Sequence, residues 1–391
     1  MLDLKIGLVG FGARAGFYPE VDRPGEGSRV SAVYDPDPGA RQRAHDVMPD
    51  ALIADSYDEL LASGVDAVMI LTPDYTHAEL TIQALEAGVA VFCEKPVAIT
   101  LADADAVLET ARRTGTRLYI GHNMRHMPVI TLMRRIIQEG RIGEVKAIWC
   151  RHFVGHGGDF YFKDWHADRT LSTGLLLQKG AHDIDVIHWL AGAYTERVSA
   201  MGELSVYGDI TDRRDRTGER MPDWYSVDNW PPLSQTGMHP TMDVEDISMV
   251  NMRLEGGILA SYQQCMYTPD YWRNYTVIGT EGRIENFGDS SGGVVKLWNR
   301  RHEGFAEADE VFPIESNPGT GHDGADGLLI AEFLRFVRDG GTTATSPVAA
   351  RESVATGILA TESLRGDEGA RSIPPLDPEL IAYFERGQVE A

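Results

Sequence analysis

The feature that most limits what this chain can fold into is the alternation, through its first 123 residues, of apolar strand-like runs with helix-like segments. "KIGLVGF" (5–11), "VSAVYD" (30–35), "DAVMILTP" (66–73), "VAVFCEKP" (89–96) and "RLYIGHN" (117–123) lack regular polar alternation, as strands buried on both faces do. Between them, "HAELTIQALEAG" and "LADADAVLETARRTG" space apolar residues as a helix does. Strand and helix in strict succession predict a doubly wound parallel sheet.

The first strand runs directly into "GLVGFGARAG", which sets Gly10, Gly12 and Ala15 in G-x-G-x-x-A spacing ahead of a short helical segment. In a dinucleotide site the first glycine makes the turn and the second lets the backbone approach a pyrophosphate. The helix N-terminus then stabilises the negative charge. Asp35 ends the second strand, where an acid binds ribose hydroxyls and repels a 2′-phosphate. NAD is the expected cofactor and NADP is disfavoured, although Arg14 within the turn is also able to reach a phosphate. A glycine-rich turn with Asp35 opening a "DPDPG" loop is the plainer alternative. The position directly after the first strand favours the cofactor site.

Beyond "MRHMPVITLMRRIIQEGRIG" the texture changes. Longer and often alternating runs, such as "EDISMVNMRLEGGILASYQQCMY" and "RNYTVIGTEGRIENF", predict a large open, mostly antiparallel sheet within a C-terminal α/β domain. The boundary falls after residue 123, giving domains over 1–123 and 124–391. Residues 205–246 are too polar and too rich in Pro, Gly and Asp to be core, which predicts a functional flap or mobile loop. Helix patterns close the chain at "GADGLLIAEFLRFVRDG" and "ARESVATGILATESL".

A length of 391 residues fits two domains. The net charge of −23 argues against nucleic acid or an anionic membrane as the main partner. Three scattered cysteines form no C-x-x-C pair, so no structural zinc site or disulfide framework is indicated. The first strand pattern leaves no room for a signal peptide, and no apolar run approaches the ~20 residues that span a bilayer. The expectation is a cytoplasmic protein acting on a small molecule, without a metal.

"TPDYTHAELTIQALEAGVAVFCEKP" (72–96), "GHNMRHMP" (121–128) and "GAHDIDVIHWLAG" (180–192) closely resemble the Gfo/Idh/MocA oxidoreductase family. The resemblance extends through "VIGTEGRIE" to the C-terminal helices and is most specific at Glu94, Lys95 and Pro96. It implies an NAD-dependent enzyme acting on sugars, cyclitols or their derivatives, a homodimer or homotetramer through the C-terminal sheet. By matching positions, Lys95 and His182 are the catalytic candidates. Cofactor contacts are expected at Gly10, Gly12, Ala13, Arg14, Asp35, Thr72, Pro73, His77, Glu94 and Asn123. Substrate contacts are expected at Lys95, Arg125, Lys163, Trp165, His166, Arg169, Gln178, Lys179 and His182. Two departures stand out: Gln178 occupies a position where the family often has aspartate, and His166 one where it has arginine.

The chemistry agrees with these assignments. Oxidising a secondary alcohol needs a base near neutrality beside the hydroxyl as hydride leaves. Histidine suits that task, and a lysine stabilises charge developing on the oxygen. A surface lysine after a strand is the plainer reading of Lys95. Its place at the carboxyl end of a parallel strand, where α/β sheets bind ligands, favours function.

If 180–190 is helical, His182, Asp185 and His188 share one stripe, and Asp185 is placed to fix the His182 tautomer. His182 and His188 do not converge as metal ligands must. For Asp183 and His188 a structural role in a core helix is expected. "GHGGDFYFKDWHADRT" (155–170) joins aromatics with Lys163, His166 and Arg169, which suits an anionic sugar, though an ordinary surface loop reads equally well.

Dehydrogenation with net NAD reduction is the leading expectation. An NAD-dependent glycoside hydrolase, using transient oxidation, elimination, water addition and re-reduction, is the first alternative, and the amide at Gln178 suits it. A non-catalytic NAD-sensing regulator is the second.

Overall fold

The computed structural model describes residues 2–315 and 321–390. The chain divides into two compact units, the first made of Met1–Asn123, Asp326–Arg351 and Pro375–Ala391, the second of Met124–Ala325 and Glu352–Pro374. The tail expected to lie wholly in the second domain is thus shared between the two units.

In the first unit, strands β1 (Leu4–Val9), β2 (Ser28–Tyr34), β3 (Leu52–Ile53), β4 (Ala67–Ile70), β5 (Ala90–Cys93) and β6 (Leu118–Ile120) form one sheet in the order β3-β2-β1-β4-β5-β6. All its pairings are parallel. Every residue of β4 and β5 is buried, which accounts for their unbroken apolar character. The strand order reverses between β1 and β4, so the loops at their carboxyl ends frame the crevice where such sheets take ligands.

The returning C-terminal helix Ala325–Asp339 supplies Phe333 and Phe336 to the first unit. Phe333 meets Phe92 with ring centroids 5.4 Å apart and Tyr119 at 5.7 Å. Burying rings of this size is worth a few kcal/mol each, about 3–5 on truncation to alanine. That burial is why the segment belongs to this unit.

In the second unit a sheet of nine strands is built from β7 (Val145–Phe153), β8 (Thr195–Glu203), β9 (Ile247–Leu254), β10 (Leu259–Cys265), β11 (Trp272–Gly279), β12 (Arg283–Phe287), β13 (Val294–Trp298), β14 (Glu310–Pro313) and β15 (Arg371–Ser372). Its order is β14-β13-β12-β11-β7-β10-β9-β8-β15. Only the β7–β10 pair is parallel; the rest are antiparallel. The long run 245–267 is therefore two strands that turn at Glu255–Gly257.

Alternation gives this sheet two unlike faces. Ala200, Val250, Tyr262, Cys150 and Tyr275 lie in register across five strands, all buried. On the other face Trp149, Met201, Met249 and Leu259 are 51–59 % exposed.

The stretch 205–246, expected as a functional flap or mobile loop, is packed within the second unit. It has little regular structure beyond short 3₁₀ turns, yet it is tied down along its length. The buried Asp246 carboxylate accepts from the amides of Ser205, Val206 and Tyr207, each at 2.8 Å, and from Ser205 Oγ at 2.9 Å. Tyr207, Ile210, Met238 and Val244 join Val154, Phe162 and Met266 in a small apolar core. Trp224 Nε1 donates to the Asp159 carbonyl at 2.8 Å. Composition concealed this core because its apolar residues are few and widely spaced.

Candidate functional site

The turn after β1 is shaped by two glycines for different reasons. Gly10 has φ +92, and a Cβ there would lie 2.9 Å from the Leu71 carbonyl oxygen; only glycine fits. At Gly12 nothing lies within 4 Å of where a Cβ would stand, so the backbone is open to a pyrophosphate. The segment that follows is a 3₁₀ turn, Ala13–Phe17, and one α-helical turn, Tyr18–Val21. That is a shorter element than the long phosphate-binding helix of the general fold. The turn's own amides therefore matter more here than a helix dipole.

Asp35 is buried at the end of β2. One carboxylate oxygen accepts from the Phe11 amide at 2.7 Å and the other from the Asp37 amide at 2.8 Å. The acid is thereby fixed against the glycine turn, where a ribose-binding carboxylate belongs.

Three of the expected cofactor contacts are engaged with one another through a residue sequence reasoning missed. Arg14 Nε donates to Glu94 at 2.8 Å, and its Nη1 lies 3.5 Å from Asp326. Asp326 also accepts from Asn123 Nδ2 at 2.7 Å. Burial opposes charge on Arg14, but Glu94 and Asp326 more than compensate and raise its pKa. Arg14 is thus held by carboxylates rather than left free for a phosphate. Asp326 lies 203 residues from Asn123 and farther still from Arg14 in sequence, so no local pattern could have found it.

Lys95 follows β5, and its amide donates to Glu94 Oε2 at 3.0 Å. The Lys95–Pro96 peptide is cis. His77 is buried; one ring nitrogen lies 2.6 Å from the Pro96 carbonyl oxygen and the other 2.8 Å from that of Thr72. Thr72 Oγ1 accepts from Thr76 Oγ1 at 2.7 Å, and the Pro73 carbonyl from Thr76 Oγ1 at 2.8 Å. The His77 ring thus lies between the loop after β4 and the loop after β5.

In the second unit, Gly180–Ala191 is helical as expected, ends at Gly192 with φ 67, and follows a short helix, Leu175–Gln178. His182 and Gln178 are 6 % and 7 % exposed, and Lys179 sits at the helix N-cap. Thr173, just ahead, adopts φ 64, costly for a β-branched residue and of a kind concentrated at functional positions.

Asp185 makes a bidentate pair with Arg125, at 2.7 Å to Nε and 2.6 Å to Nη2. Arg125, expected to touch substrate, carries this buried pair. His188 meets Thr195 Oγ1 at 2.7 Å, and burial pushes its pKa down to about 4, as fits the structural role expected of it.

Asp183 proves to be the centre of a fully buried network. His152 Nδ1 is 2.9 Å from it, Arg273 Nε 3.2 Å, and the Tyr275 hydroxyl donates to it. Burial opposes ionisation, but Arg273 and His152 hold the Asp183 carboxyl below its usual range. Burial, with Arg273 beside it, pushes His152 down to about 3. A structural role was expected of Asp183; these partners, from β7 and β11, were not foreseen.

Lys163, His166 and Arg169 of 155–170 each face an aspartate. Lys163 is buried and paired with Asp159 at 2.7 Å, His166 Nδ1 with Asp164 at 2.5 Å, and Arg169 Nε with Asp243 at 2.9 Å. Trp165 stacks on His166 with centroids 3.8 Å apart. The positive charge of Lys163 and Arg169, expected to receive an anionic sugar, is thus paired with carboxylates within the unit. Among the described residues no helix is long and apolar enough to cross a membrane.

Residues 4–122 match the model of the oxidoreductase family with NAD-binding Rossmann fold, Gfo/Idh/MocA, and residues 130–285 match the Gfo/Idh/MocA C-terminal domain. A 2,7-anhydro-N-acetylneuraminate hydratase of Mediterraneibacter gnavus is 28% identical over 332 residues, 82% of this chain and 77% of that protein. The scyllo-inositol 2-dehydrogenase (NAD(+)) of Bacillus subtilis is 27% identical over 346 residues, 87% of each chain. A levoglucosan dehydrogenase solved with NADH and levoglucosan shares the fold, with a TM-score of 0.77 at 18% identity over 95% of this chain and 100% of that one. The chain belongs to the Gfo/Idh/MocA family of NAD-binding oxidoreductases and is an enzyme.

Proposed function

We propose that the protein oxidises a ring hydroxyl of a sugar, cyclitol or sugar derivative, with Lys95 and His182 assisting the proton transfer. The observation that carries this reading is Lys95 at the carboxyl end of β5, its amide held by Glu94, in a unit whose Gly10–Gly12 turn and Asp35 suit NAD. Bound NAD supplies the hydride acceptor. His182 takes the hydroxyl proton as the base. The Lys95 ammonium orients the hydroxyl and stabilises negative charge developing on its oxygen. Gln178 orients the substrate by hydrogen bonds, since an amide neither gives nor takes a proton at neutral pH.

Relatives named as an inositol dehydrogenase and a sugar hydratase support a polyhydroxylated ring as the substrate class. The hydratase, together with Gln178 in place of a carboxylate, favours a second reading. In it oxidation is transient, a neighbouring bond is eliminated, water adds, and hydride returns with no net redox change. The exposed Trp149, Met201, Met249 and Leu259 support a homodimer or homotetramer through the open sheet.

A panel of inositols, sugars, uronates, sulfosugars and their glycosides, followed for NADH and for hydrolysis products together, tests the reading. NADH accumulation with a free polyol is the predicted result. Aglycone release without NADH selects the second reading, and neither signal with any compound removes both.

A further inference from the structure

His77 is a buried titratable group of the first unit to which the proposed mechanism gives no task. Its ring faces two carbonyl oxygens, Pro96 at 2.6 Å and Thr72 at 2.8 Å. Carbonyls only accept, so both contacts are hydrogen bonds only if both ring nitrogens carry a proton. A neutral ring would set a lone pair against a carbonyl oxygen at one of these distances.

The position makes that charge costly. His77 begins the helix His77–Glu86, whose amino end disfavours a cation, and the residue is 1 % exposed. The groups around it offset this cost. Burial alone lowers the pKa, but Cys93 from β5, Asp74 from the preceding turn and the Pro96 carbonyl raise it to about 10.

We propose that His77 is a positioning residue, an imidazolium brace that fixes the Lys95 loop against the Thr72 turn. The loop after β5 is then held from two sides. Glu94 ties it to Arg14 of the glycine turn at 2.8 Å, and Pro96 ties it through His77 to the loop after β4. Lys95 stands between these two anchors. Its ammonium can act on one hydroxyl only while its backbone is held, and a displacement near 1 Å costs about 10²-fold in rate. The inference rests on the catalytic reading of Lys95 and extends it to the residue that holds Lys95 in place.

Two measurements test it. In ¹⁵N-histidine-labelled wild-type protein without cofactor, both ring nitrogens of His77 are expected to be protonated at pH 8; one unprotonated nitrogen overturns the brace, whatever the activity. In His77→Asn and His77→Gln, each able to donate to only one of the two loops, kcat is expected to fall about 10²-fold, with the Kd for NAD within about threefold of wild type. Unchanged kcat, or a loss of NAD affinity as large as the loss of rate, overturns the positioning role. If either variant fails to fold, the ring protonation of the wild type still decides. Lys95→Ala separates the two claims. Full activity in that variant removes the catalytic reading of Lys95, while the protonation state of His77 stands or falls by itself.

Discussion

Arg125 and Asp185 form a two-pronged ion pair, 2.7 and 2.6 Å long, with the side chains 6 % and 1 % exposed. Removing one partner strands the other charge without water, which typically costs about 3–5 kcal/mol. Arg125→Ala and Asp185→Ala should each lower the denaturation midpoint by a comparable amount, and the double variant should lose less than the sum of the two. Additive losses in a double-mutant cycle would show that the pair is not coupled.

Two histidines give the protein opposite pH sensitivities. His188 is held near a pKa of about 4, below its unfolded value of about 6.5, so its contribution is full above that value and is lost as pH falls towards 4. His77 is raised to about 10, so its contribution is full below about 6.5 and is lost as pH rises towards 10. The burial of neutral His188 alone amounts to about 3 kcal/mol by pH 4. Thermal midpoints of the whole chain should therefore decline on both sides of a maximum near neutrality. His188→Leu should flatten the acid limb by about 1.4 kcal/mol per pH unit. An unaltered acid slope in that variant would contradict the assignment.

Asp35 holds the glycine turn through the Phe11 amide, and the proposed NAD site gives it a second task, discrimination between cofactors. Hydrogen bonds to a charged carboxylate are worth about 1.5–3 kcal/mol. Asp35→Asn should raise the Kd for NAD by about ten- to a hundredfold and affect NADP much less, narrowing the preference. Isothermal titration with both cofactors checks this; an equal loss for both would limit Asp35 to shaping the turn.

The open sheet face predicts association. Trp149 and the in-register pair Met201 and Met249 expose apolar surface that monomers seldom leave uncovered. Met249→Lys and Trp149→Glu should shift the mass seen by light scattering towards the monomer, with little change in the far-UV spectrum. An oligomer unaffected by both would place the interface elsewhere.

Much of the fold was legible in local pattern. Unbroken apolar runs gave β4 and β5, and glycine spacing gave the turn after β1, because burial and backbone strain act on neighbouring residues. The partners of the site residues were not legible. Asp326 reaches Arg14 and Asn123, and Arg273 reaches Asp183, across the fold, and no short-range periodicity encodes such pairs. The loop pairs are a different case: Lys163 and His166 have their aspartates nearby, at Asp159 and Asp164, and the composition of the segment alone did not reveal these pairings. The apolar core within 205–246 was not legible because it is assembled from distant residues.

The most direct test of the central claim is the fate of the carbinol hydrogen. With a substrate from the panel deuterated at its reacting carbon, single-turnover reaction of the wild-type enzyme should deliver deuterium to nicotinamide C4, and Lys95→Ala with His182→Ala should abolish that transfer while NAD still binds. Product formation without deuterium reaching the cofactor, or undiminished transfer in the double variant, would contradict it.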